Sequence, residues 1–133
     1  MGLVEMREIK FKIWNKTKKD FVRLEIDTIL NLANDDKTVE LDTYNNQVVF
    51  LQYTGLKDKN GVEIYEGDIV KHNAISKILC IEYIQDRCKF DAAMKMSGEK
   101  SLDVMYNLTT DMANKRLEVI GNIYENNELL AVN

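Results

Sequence analysis

The pair Asn60-Gly61 constrains this chain more than any other feature. It lies between two strand-like runs inside the stretch QYTGLKDKNGVEIYEGDIVK, Gln52 to Lys71. Asn-Gly between such runs is the strongest short-range signal for a β-hairpin, because both residues accept the positive φ that a tight reversal needs. The same stretch holds Gly55, Gly61 and Gly67, half of the chain's six glycines. A phosphate-cradling loop is the rival reading. A P-loop needs G-x-x-x-x-G-K-[ST], whereas five residues separate Gly55 from Gly61 and Val62 follows. A dinucleotide fingerprint needs G-x-G-x-x-G opening a helix, and no helical periodicity follows here. The glycines therefore read as turns between short strands.

The rest of the chain supports a β-rich architecture. In REIKFKIW, Ile9, Phe11 and Ile13 alternate with Lys10, Lys12 and Trp14, the period-two pattern of a half-buried strand. The polar NKTKKD then turns the chain into FVRLEI, completing a hairpin whose lysines protect an exposed edge. DTILNLAND fits one short helix or a bent strand. Two strands flank Asn45-Asn46, and Val48–Tyr53 reads as a central strand. SKILCIEYI, the QDR turn and CKFDA form another hairpin, MKMSGEKSLDV a loop, and LDVMYNL a further strand. TTDMANKR is a turn or single helical turn, and LEVIGNIYENNELL a closing apolar strand. Gly121 inside it predicts a bulge or a close approach. Strands punctuated by turns every 8–12 residues predict a mainly β barrel or sandwich with at most one or two short helices.

A chain of 133 residues is one domain's worth, residues 1–133, and long enough for a core without staples. No apolar run approaches the roughly 18–20 residues that span a bilayer. The start MGLVEMREIK lacks an apolar leader, so the protein is expected to stay in the cytoplasm and to have no membrane partner. Net charge is −4, yet residues 1–23 carry +4 and the remainder −8. Such asymmetry steers association, and equally describes two ordinary solvated surfaces. Cys80 and Cys88 are expected to be reduced and buried as small hydrophobes. With His72 they do not make the four-ligand set of a zinc site, and no cofactor motif is present, so neither metal nor cofactor is expected. Proline is absent, and Lys, Asn and Ile, whose codons are A/T-rich, abound.

Three segments carry a family resemblance: MREIKFKIWN, QYTGLKDKNGVEIYEGDIVK and EVIGNIYENNELL. Together they are similar to the signature segments of the YopX family, small proteins encoded by phages and prophages of bacteria. Met6 matches the family's first residue, which makes residues 1–5 an upstream extension. Asn15 stands where Asp is common, and Asn127 where Pro is common. The resemblance implies an intracellular phage or prophage protein with a small β-barrel, whose GDIV step is similar to the first strand of SH3-like barrels. It brings no catalytic residues. The signature turns fall on Gly55, Asn60, Gly61, Gly67, Asp68 and Gly121.

Three functional classes remain. Catalysis would draw on Asp58, Glu63, Glu66 and Asp68 around the turns, with His72 as a base. Acids are ordinary turn residues, and no nucleophile motif accompanies His72, so no enzyme is expected. Nucleic-acid binding would use Lys10, Lys12, Trp14, Lys16, Lys18 and Lys19, with Trp14 as a stacking platform. Against it stand the net charge and a pI near 5.1, which favour lysines guarding an edge and Trp14 capping a barrel end. A protein-interaction or self-assembling module needs no missing parts. Six tyrosines, Tyr44, Tyr53, Tyr65, Tyr83, Tyr106 and Tyr124, and the apolar tail ELLAVN suit a homo-oligomer, or contact with a host or phage protein. This last class is the expectation.

Overall fold

The computed structural model describes residues 7–22, 47–95 and 103–132. Nine strands run in chain order: β1 Phe11–Asn15, β2 Asp20–Val22, β3 Val48–Lys57, β4 Glu63–Tyr65, β5 Asp68–His72, β6 Lys77–Ile84, β7 Lys89–Met94, β8 Val104–Asn107 and β9 Leu117–Asn122. Among the described residues one α-helix, α1, spans Thr110–Arg116, and short 3₁₀ helices cover Gln85–Arg87 and Asn127–Val132. The strands form two antiparallel sheets, ordered β2-β1-β3-β4 and β8-β7-β6-β5-β9. The fold is mainly β and consistent with a small barrel. The chain divides into two compact units, a smaller one over residues 11–51 and a larger one over 1–10 and 52–133.

In the smaller unit β1 and β2 pair in the register Ile13↔Val22, Trp14↔Phe21 and Asn15↔Asp20. Their turn is held by one side chain, for the Asn15 carboxamide oxygen accepts from the Thr17 and Lys18 amides at 2.9 and 3.0 Å. Asparagine and aspartate both supply that acceptor, which explains why the family's usual Asp is dispensable here. The alternation expected from residue 7 onward fails at its start. Ile9 and Phe11 are exposed, and of the three apolar positions only Ile13 is buried. The regular strand begins at Phe11. The segments expected at 27–35, at the Asn45-Asn46 turn and in the loop at 96–102 lie outside the described residues.

The larger unit is built on the five-stranded sheet. β6 is its middle strand, and Leu79, Cys80 and Ile81 are buried consecutively, as a strand covered on both faces must be. One face carries the main core, in which Ile64, Val70, Leu79, Ile81, Ala92, Ala113 and Leu117 are all inaccessible to solvent. On the other face Cys80 lies opposite Ile69 and Ala93, and the C-terminal 3₁₀ helix packs on β6. The apolar strand expected through Leu130 therefore ends at Asn122, and the chain turns back as a 3₁₀ helix. Helix α1 follows the TTDMANKR segment. Thr109 caps it by accepting from Met112 N at 3.1 Å, and Asp111 pairs with Lys115 at 2.8 Å one turn on.

The expected reversals fall at Asn60-Gly61 between β3 and β4, at Glu66-Gly67 between β4 and β5, and at the QDR helix between β6 and β7. Gly55, Gly61 and Gly67 all have positive φ, 86°, 81° and 84°. Gly55 corrects the turn reading, because it lies inside β3 rather than between strands. The β3–β4 register slips between Tyr53 and Lys57, and Gly55 supplies the left-handed step of that bulge. Gly121 marks a second irregularity. Ile69 faces Gly121 while Val70 faces Val119, so Ile120 is the extra residue of a bulge in β9.

Candidate functional site

The larger unit contains a cleft of about 760 Å³. One wall is the second half of β3, with Gln52, Tyr53, Thr54 and Leu56. The β6–β7 turn supplies Tyr83, Cys88, Lys89 and Phe90, and the entry to α1 supplies Leu108, Thr109 and Thr110. Arg7 and the β4–β5 turn residue Glu66 complete it. The β6–β7 pairing explains the aromatic part. Tyr83 and Phe90 lie directly opposite on the face that carries the core, and their rings meet edge-on at 5.3 Å. The cleft begins where that core ends.

Charge in the cleft is unevenly spoken for. Lys89 bonds Asn107 and sits 3.1 Å from the buried Asp91 carboxylate, which Arg87 also approaches at 3.6 Å. Asp91 is 1% exposed, so these cations supply the compensation a buried carboxylate requires. Arg7 and Glu66, by contrast, pair neither with each other nor with another charge among the described residues. The Tyr83 phenol is held above its usual pKa, first by desolvation and then by the Cys88 thiol beside it. Cys88 follows the 3₁₀ turn in a left-handed conformation, φ 51°, which exposes its sulfur. This overturns its expected burial. Cys80 is buried as expected, and burial pushes its thiol up to about 12.

Three of the four turn acids, Asp58, Glu63 and Asp68, have structural partners. Asp58, 3% exposed, accepts through Oδ1 from the Asn60 and Val62 amides at 2.8 and 2.9 Å, and through Oδ2 from Val119 N at 2.9 Å. It thus shapes the Asn60-Gly61 turn and ties it to β9, sixty-one residues away. Asp68 accepts from Tyr65 N at 2.7 Å and closes the Gly67 turn. Glu63 pairs with Lys10. His72 is buried on β5, outside the cleft lining. The sequence marked Asp58 as a candidate acid or an ordinary turn residue. Its burial depends on β9, and no local pattern reports that.

The basic residues of the nucleic-acid alternative lie on the first hairpin, and the aromatic residue proposed to stack beside them is buried. Trp14 is 5% exposed and packs edge-on against Phe21 at 4.9 Å. That corrects its placement on an open stacking face. Lys12 lies over the Phe21 ring at 5.6 Å, while Lys16, Lys18 and Lys19 are exposed around the hairpin turn. Lys10 is engaged by Glu63 and Glu8 and lies 4.8 Å over Tyr53, and the two glutamates hold its ammonium above the ordinary value. Among the described residues no group of His, Cys, Asp and Glu is arranged to hold a metal, and no helix is long and apolar enough to cross a membrane.

A search of curated proteins gives no match. Among solved structures, the chain is similar to the crystal structure of protein EF1440 from Enterococcus faecalis, with a TM-score of 0.56 and 26% identity over 94% of this chain and 99% of that one. The family profile described as YopX protein matches residues 6–131, beginning at the Met6 that the opening motif singled out. That match spans the first hairpin, both turn motifs and the closing β9 segment, and so the chain belongs to the YopX family.

Proposed function

We propose that this protein is a non-enzymatic binding module that associates with a second copy of itself through strand β8. The carrying observation is an asymmetry between the two edges of the five-stranded sheet. The outer edge of β9 is occupied, for Val119 N donates to Asp58 and Leu117 O accepts from Lys59 N at 3.0 Å. Among the described residues nothing bonds to the outer edge of β8. Exposed edges usually carry a charge or a proline that blocks pairing. β8 reads Val-Met-Tyr-Asn with neither, and Val104 is 39% exposed. An antiparallel pairing of β8 with its copy would satisfy those backbone groups and bury Val104. The non-enzymatic part is supported by the engagement of Asp58, Asp68 and Glu63 in structural bonds. Origin in a phage or prophage, and work inside a bacterial cell, follow from the family resemblance and belong to the same proposal. Burial of Trp14 weighs against the nucleic-acid reading and supports the exposed lysines as edge protection.

Light scattering across a concentration series tests the reading. The unmodified chain should shift from monomer to dimer as concentration rises. Val104→Lys should remain monomeric, while Ile75→Lys, at an exposed residue in the β5–β6 turn, should behave as the unmodified chain does. A monomer at every concentration, or a dimer indifferent to Val104→Lys, would overturn it.

A further inference from the structure

We propose that the cleft of the larger unit is a binding site for a zwitterionic ligand of the amino-acid or short-peptide class. Its carboxylate would meet Arg7, its ammonium Glu66, and its apolar side chain the Tyr83–Phe90 wall. The assignment goes beyond self-association and uses side chains other than those of β8. It starts from charge. Two groups of opposite sign line one cavity, and each lacks an ion-pair partner among the described residues. Opposite charges that close on each other form a salt bridge, and these two line one cleft without forming one. A ligand carrying both signs can bridge them.

Other ligand classes fit less well. A phosphate or other simple anion would find, among the described residues of the cleft, one cation without an ion-pair partner, because Lys89 is committed to Asp91 and Asn107, and it would be repelled by Glu66. A simple cation meets the converse problem at Arg7. A wholly apolar ligand would cover Gln52, Thr109 and Thr110 without replacing their hydrogen bonds with water, which is costly. The volume, about 760 Å³, lies within the roughly 300–1,000 Å³ typical of small-ligand sites and is far larger than a lone ion needs. The edge-on aromatic pair at 5.3 Å supplies an apolar surface for a leucine or phenylalanine side chain.

The test is an amide-resolved NMR titration of the full chain with free phenylalanine, the dipeptide Leu-Phe, N-acetyl-Leu-Phe and Leu-Phe amide. Saturable shifts at Phe90, Thr109 and Thr110 are expected with phenylalanine, with Leu-Phe, or with both; which of them binds distinguishes a single amino acid from a longer span. Capping either end of Leu-Phe should weaken binding about fivefold, the scale of one partly exposed ion pair. Arg7→Gln should make the chain indifferent to the C-terminal amide, and Glu66→Gln indifferent to the N-acetyl group. Neither substitution removes an ion pair present among the described residues. Absence of saturable shifts with all four compounds, equal binding of capped and free peptides, or discrimination that survives both variants would each overturn the proposal.

Discussion

At the scale of single residues, Asp58 shows how much of this fold hangs on one carboxylate. It is buried and takes three backbone N–H groups, two in its own turn and one from β9. Removing it strands donors that water reaches poorly, so Asp58→Ala should lower stability by roughly 2–4 kcal/mol. Asp58→Asn keeps one carbonyl oxygen and should cost about half as much; denaturant unfolding of the two variants checks the order. The cysteines give a second residue-scale prediction. The Cys80 thiol, pushed up to about 12 by burial, is almost wholly protonated at pH 8, whereas Cys88 is exposed. Iodoacetamide at pH 8 should add one label per native chain and two per unfolded chain, with Cys88 identified by mass spectrometry of peptides. Two rapid labels in the native state would contradict the buried placement of Cys80. The sequence predicts both thiols reduced and buried, whereas only Cys80 is buried. The alternation that hides Cys80 is local, while the left-handed turn that exposes Cys88 has no glycine to announce it.

At the scale of elements, the turns were the most legible part of the chain. Asn60-Gly61, Glu66-Gly67 and QDR specify reversals by their own backbone preferences, and all three reversals occur there. Gly55 carries the same signal and serves a bulge instead, because positive φ is needed in both places and the sequence does not say whether the strand continues. Gly121 needs its missing side chain for a different reason. A Cβ there would lie 2.5 Å from Oδ1 of Asn126, the residue that begins the return toward the C-terminal helix and accepts from Asn122 N at 3.3 Å. Gly121→Ala should therefore displace Asn126 and destabilise by about 1–3 kcal/mol. Adding Asn126→Gly removes all three contacting atoms, so the double variant should cost less than the sum of the singles, with a coupling of about 1 kcal/mol. Strict additivity in thermal or denaturant unfolding would show that the close contact is not the reason for glycine at this position.

At the scale of the whole molecule, the mainly β character was readable because period-two alternation and turn residues repeat along the chain. The cleft was not readable. Arg7 and Glu66 are fifty-nine positions apart in the sequence, and only the packing of several strands in the larger unit brings them to one cavity. The same distinction between local and long-range information bears on stability. β5, β6 and β7 hold their registers around side chains with no exposure at all, and each of these strands is paired on both sides. Opening any one of them exposes the core and breaks two ladders, so the amides of Val70, Leu79, Ile81 and Ala92 should exchange with solvent only through global unfolding. β2, Asp20–Val22, is paired on one side only among the described residues and can open without disturbing that cluster. Hydrogen exchange should then show amides of Asp20–Val22 exchanging at least tenfold faster than those of the central strands. Their protection should change little when denaturant is added below the unfolding transition, whereas that of the central strands should fall with the global stability. Equal protection and equal denaturant dependence in both sets would mean that the hairpin and the five-stranded sheet open as one cooperative unit, and that the small core of Ile13 and Trp14 is coupled to the larger one more tightly than its own contacts require.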